Sequence, residues 1–150
     1  MYTFNERLLN NAAKALLSAD FDGIVQHFAE TVAVFQPDGS YRVACHEDLR
    51  EALTEHRSGA VDLGVTDIRA EIAAIGMPRA QKQRLFVDWV YSIDGAEDEE
   101  RAQAVYYIAD RGFGPKIEMV ECRSSAFRYQ GMQDAGVNLY DMPQRAIGGA

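Results

Sequence analysis

The sequence predicts an α+β domain whose helices are gathered on one face of a curved sheet. Apolar residues recur at helical spacing through the first third of the chain. From residue 64 the period shortens to that of strands, and the connections between successive strands are short, which favours an antiparallel meander.

Each element has its own signal. Asn5 is placed to cap a first helix, in which Leu9, Ala12, Ala13 and Leu16 fall at i, i+3, i+4 and i+7 on one face. Ser18, Ala19 and Asp20 make a tight break, and Asp20 can cap a second helix carrying Phe21, Ile24, Val25 and Phe28 at the same spacing. The stretch from Thr31 to Phe35, β-branched and aromatic, reads as a short strand. Pro37, Asp38 and Gly39 signal a turn, after which Tyr41, Arg42 and Val43 return as the second strand of a hairpin. Leu49, Ala52, Leu53 and His56 mark a third helix, with Glu47 and Asp48 near its positive N-terminal end and Gly59 as its stop.

Strand alternation follows. Thr66, Ile68, Ala70, Ile72 and Ala74 alternate with Asp67, Arg69 and Glu71, and Gly76, Met77 and Pro78 are expected to break this strand. A long strand runs from Gln83 to Ile93 and ends in an acidic loop of Asp94, Gly95 and residues 97–100, expected to be solvated. Two more strands, over 102–110 and 116–125, flank a loop of Gly112, Phe113, Gly114 and Pro115. The layout is three helices and a short hairpin, then a four-stranded sheet.

Composition bounds the function before any motif does. A chain of 150 residues buries roughly 70% of the surface its unfolded form exposes, enough to fold without metal or disulfide. Fifteen Lys and Arg against 23 Asp and Glu leave a net charge of -8, which argues against nucleic acid or an anionic membrane as partner. The stretch from Met1 to Arg7 is polar, unlike a signal peptide, and no window approaches the roughly 18 apolar residues of a spanning helix. Cys45 and Cys122 are too few for a disulfide framework, so the expected setting is the reducing cytoplasm with two inert thiols. No HExxH or Cys/His cluster offers metal-ligand spacing, and no metal or cofactor is expected. Residues 1–127 read as the domain. Residues 128–150 read as an extension, partly disordered or wrapped on a partner subunit.

Four phrases in this order carry a resemblance: SADFDGIVQHFAETVAVFQPDGSYR, HEDLREALTEHR, RLFVDWVYSIDG and PKIEMVECRSSAF. Together they resemble the nuclear transport factor 2-like superfamily, and its SnoaL-like branch above all. The resemblance implies a cone-shaped α+β half-barrel, in which three helices from the N-terminal half pack on a curved antiparallel or mixed sheet around a pocket. It also implies frequent homodimerisation through the outer sheet face. Such proteins include isomerases, dehydratases, cyclases and epoxide hydrolases as well as binding and assembly modules, so the fold does not choose among them. The Asp/Tyr pair of the ketosteroid isomerases and the Asp-Arg-Asp set of the epoxide hydrolases have no counterpart at alignable positions.

The candidate residues follow from facing. His56 lies about 340° round from Leu49 at ~100° per residue, so it points at the sheet, either as an acid–base group or as a hydrogen-bonded core histidine. His27 and His46 are expected to be solvated. Val87, Trp89, Tyr91 and Ile93 share one face of the long strand and are assigned to the interior. Asp88 falls on the other face, where pairing with arginine is expected. Tyr106 and Tyr107 point to opposite faces, and spacing leaves open which is internal. Ile117, Met119 and Glu121 fall together, which would make Glu121 either a buried carboxylate or half of a surface ion pair. The expected lining of a pocket for a small apolar or aromatic molecule is Phe28, His56, Trp89, Tyr91, Tyr107 and Met119. In an enzyme, His56, Glu121 and Asp88 would be the catalytic candidates. The expected functions are thus a small-molecule binder, a cofactor-free isomerase, dehydratase or hydrolase on a polyketide- or steroid-like substrate, or a dimeric assembly module.

Overall fold

The computed structural model describes residues 5–79 and 81–124. The extension expected over 128–150 lies outside the described residues. Helix α1 (Glu6–Leu17) begins where Asn5 Oδ1 accepts the Leu8 amide at 3.0 Å, and it buries Leu9, Ala13 and Leu16. Helix α2 (Phe21–Val25) starts on Asp20, whose Oδ1 accepts the Gly23 amide at 3.1 Å. A Cβ at Gly23 would stand 2.6 Å from Asp20 Oδ2, so glycine lets the carboxylate close on so short a helix.

Phe28, expected on α2, instead opens strand β1 (Phe28–Phe35), because its backbone is drawn into the sheet opposite Ile117. Strand β2 (Tyr41–Cys45) returns antiparallel to β1. Helix α3 (His46–Leu63) buries Leu49, Ala52, Leu53, His56 and Ala60. Gly59 does not stop α3. The apolar stripe continues through Ala60, and the helix ends at Gly64, whose φ of 91° is the left-handed conformation that glycine adopts freely.

Strands β3 (Val65–Arg79), β4 (Lys82–Ile93), β5 (Glu100–Asp110) and β6 (Pro115–Ser124) form the expected meander. The hairpin is not separate from it. All six strands make one sheet in the order β2-β1-β6-β5-β4-β3, with β1 and β6 parallel and the other neighbours antiparallel.

Several strands carry extra residues, and these bend the sheet. Opposite β4, β3 shifts register between Val65 and Asp67 and again between Ile72 and Ala74. Ile68, Ala70 and Ile72 therefore share the inner face as expected, whereas Thr66 is the extra residue opposite β4 and Ala74 sits opposite outward-facing Phe86. Gly76, Met77 and Pro78 do not break β3. It runs on to Arg79, absorbing them in a further register shift.

The core lies between the helices and the concave face, with Leu49, Val32, Leu85 and Val87 at 1% exposure or less. Full burial of such a side chain stabilises the fold by about 1.5–3 kcal/mol. Helix α1 also covers the free edge of β3. The Ala70 amide donates to Asn10 Oδ1 at 2.8 Å, and the Ile72 amide donates to Glu6 Oε2 at 2.8 Å. Among the described residues no helix is long and apolar enough to cross a membrane.

Candidate functional site

Between the concave face and the helices lies a cavity of about 80 Å³, part-open to solvent. Its roof is Leu9, Ala13 and Leu16 of α1, with Leu53 and His56 of α3. Its floor includes Phe28, Ile68, Trp89, Tyr91, Tyr106 and Cys122, one or more from each of β1, β3, β4, β5 and β6. Half-exposed Leu8, Ala12, His27 and Trp89 mark the opening. Among the described residues that line it, none is Asp, Glu, Lys or Arg.

Besides His27 and Gln103, two hydrogen-bonded pairs supply the polarity. His56 is 3% exposed, and its Nε2 lies 3.2 Å from Tyr91 Oη, with the rings edge-on and 5.9 Å apart. Its Nδ1 has no hydrogen-bond partner among the described residues. Burial pushes the imidazole pKa down to about 3, so the ring is uncharged at neutral pH. Trp89 Nε1 donates to Tyr106 Oη at 2.8 Å, again with the rings edge-on. At the rim, burial first and then the charge of Lys116 lower the pKa of His27. Burial, then the charge of Glu121, raises the pKa of the Cys122 thiol, which keeps it protonated and unreactive. Such a cavity can donate and accept hydrogen bonds, but an imidazole so hard to protonate is a weak base at neutral pH. Among the described residues no three His, Cys, Asp or Glu gather to hold a metal ion.

No protein-family model and no curated protein matches the sequence. Among solved structures, an NTF2-like protein of unknown function from Shewanella oneidensis MR-1 matches with a TM-score of 0.60 at 16% identity, over 77% of this chain and 93% of that one. The chain has the nuclear transport factor 2-like fold. A hypothetical protein with a ketosteroid isomerase-like fold from Catenulispora acidiphila, in complex with trimethylamine, matches over 91% of this chain and 97% of that one, with a TM-score of 0.52 and 12% identity. A protein from Novosphingobium aromaticivorans, provisionally named a scytalone dehydratase, matches over 83% of this chain and 86% of that one, with a TM-score of 0.56 and 10% identity.

The NTF2-like cone brings Phe28, His56, Trp89 and Tyr91 together at the cavity. It does not bring Tyr107, Met119 or Glu121 there. Tyr107 pairs with Met119 and Ile108 with Ile117, so Glu118 is an extra residue in β6. Ile117 stays inside, but beyond the extra residue the inner positions are Val120 and Cys122, and Met119 and Glu121 turn outward. Glu121 Oε1 accepts there from Tyr107 Oη and from Arg123, both at 3.4 Å. Of the catalytic candidates His56, Glu121 and Asp88, only His56 lies at the cavity, where it pairs with Tyr91 and not with a carboxylate. Asp88 lies on the outer face, 3.6 Å from Arg101.

Two other histidines depart from the expected solvation. His27 lines the cavity mouth, because α2 ends before it and turns it back beneath the helices. His46 Nε2 lies 3.0 Å from the carbonyls of both Phe28 and Ala29, tying α3 to β1. The loop acid Glu99 also folds back, receiving bonds from Arg69 at 2.7 and 3.1 Å. Spacing alone does not find Tyr106 as the inward tyrosine. Its alignment with Leu85 and Val120, both buried, is what turns it inside.

Proposed function

We propose that this protein is a SnoaL-like binder of one small, largely apolar molecule, held in the cone and not chemically changed there. The cavity wall carries the reading: aliphatic and aromatic side chains surround a neutral imidazole, with no charged side chain among the described lining residues. A mostly apolar recess with few polar groups is the usual form of a small-molecule site. Its enclosed volume of about 80 Å³ is roughly half of the ~150 Å³ of an engineered cavity that admits benzene, and it continues into a part-open mouth, so it favours a compact ligand of one ring, seated partly in that mouth, over a steroid-sized one. The trimethylamine complex of the Catenulispora protein supports a ligand of that size class.

Trp89 is the only tryptophan in the chain, so its emission reports on this site alone. Titration with small aromatic compounds is expected to change that emission saturably. Ala104→Leu, which fills the recess from β5, is expected to abolish the change. Emission that never saturates, or that saturates equally in the variant, sinks the reading.

A second reading is a cofactor-free lyase, isomerase or hydrolase with His56 as base and Tyr91 polarising a carbonyl. The hydrogen-bonded pair itself favours it. The depressed pKa of His56 and the missing carboxylate weigh against it.

In either reading the protein works as a homodimer through the outer sheet face. Phe86, Tyr107 and Met119 are half-buried there, and the Arg84 guanidinium lies 5.3 Å from the Phe86 ring centre and 6.0 Å from that of Tyr107. Arg69, Arg84, Arg101 and Arg123 alternate with Glu71, Asp88, Glu99 and Glu121 on this face, so a second copy meets opposite charges despite the net charge of -8. The unpaired thiols of Cys45 and Cys122 are in keeping with a cytoplasmic setting.

A further inference from the structure

We propose that the ligand of this cavity is a small neutral molecule with a single oxygen, a phenol or cyclic alcohol in chemical class, and that His56 Nδ1 holds that oxygen. The inference rests on the binding reading above and sharpens it. His56 has two ring nitrogens, and Tyr91 Oη occupies only Nε2. Nδ1, on a side chain 3% exposed that lines the cavity, has no partner among the described residues. A buried polar atom left unpaired is costly, so a hydrogen bond to it rewards a ligand that carries the matching group.

A hydroxyl suits this nitrogen whichever tautomer is present. If Tyr91 donates to Nε2, then Nδ1–H needs an acceptor; if Nε2–H donates to Tyr91, then Nδ1 needs a donor. A hydroxyl oxygen meets either need. Water is a poorer occupant, since it needs roughly two to four polar partners and these walls are largely aliphatic and aromatic. Ions are disfavoured because no described lining residue is charged and burial keeps the imidazole neutral. Trp89, Phe28 and Leu9 offer the flat apolar walls that a six-membered ring packs against.

Phenol and toluene have the same shape and differ in one group, so they separate the anchor from the cavity. Titrations followed by NMR of the ¹⁵N-labelled protein should show phenol binding roughly tenfold more tightly than toluene, the worth of one hydrogen bond. Phenol, and not toluene, should move the His56 ring nitrogen resonances. The variant His56→Leu with Tyr91→Phe removes both members of the buried pair together and should erase the preference while toluene still binds. Equal affinities in the wild type, or phenol binding with the His56 nitrogens unmoved, overturns the anchor and leaves the binding reading standing. Trimethylammonium binding more tightly than phenol overturns the neutral class. If neither phenol nor toluene binds, the anchor and the binding reading fall together.

Discussion

A histidine kept neutral by burial makes folding sensitive to mild acid. The pKa of His56 is about 3 when folded, against an ordinary value of 6.5. As pH falls below 6.5 the unfolded chain gains a proton that the folded state refuses, so stability is lost by about 1.4 kcal/mol per pH unit. His27, also lowered, acts in the same direction. Glu71, Glu99 and Glu118 are held below the ordinary value of 4.5 by their arginine partners, so their contributions are lost only at lower pH. The window from pH 6.5 to 5 therefore belongs to His56 and His27. Urea unfolding at pH 7 and pH 5 should differ by on the order of 2 kcal/mol in the wild type and by much less in His56→Leu with Tyr91→Phe. The inward aim of His56 is legible in the sequence because α3 is regular from His46 to Leu63. The outward turn of Glu121 is not, because one extra residue at Glu118 reverses the side chains from Met119 to Cys122 without disturbing the hydrophobic pattern.

Among the elements, α1 does more than cover the core. It lays Glu6 and Asn10 along the free edge of β3 and satisfies amides that would otherwise invite another strand. Asn10→Ala should cost about 1–3 kcal/mol, since it leaves the Ala70 amide without its acceptor. Hydrogen exchange at that amide should quicken more than exchange in β4 or β5. An unchanged Ala70 rate would show that the edge is not held this way. The existence of α1, and even its Asn5 cap, is readable from the apolar period and the capping residue. Its docking onto β3 is not, because Asn10 and Ala70 are 60 positions apart and neither belongs to a recognisable pattern.

For the whole molecule, β4 carries apolar residues on both of its faces. Val90 and Val105, which face away from the helices, are 0% and 1% exposed. Phe86→Glu replaces the ring that lies against Arg84 and Arg123 on that face with a solvated carboxylate and should convert a sedimenting dimer to a monomer without loss of helical circular dichroism. A wild-type protein that sediments as a monomer at every concentration rules the outer-face dimer out. The helix-before-meander order is legible from period and turn residues. The joining of the hairpin to the meander is not, because it depends on a parallel pairing between the first strand and the last.

That pairing sets the order in which the molecule can be assembled. Val34 and Val120 are partners 86 positions apart, whereas β5 and β6 meet across the five positions from Asp110 to Pro115. Closing the longer loop spans about four doublings of length, roughly 2.5 kcal/mol more in chain entropy. The meander should therefore form early, and β1 with its hairpin should join late. Since β1 contributes Phe28 to one wall and β6 contributes Val120 to another, the recess does not exist until this last seam closes. A ligand of the recess thus recognises only the finished fold and stabilises the final step of folding by mass action.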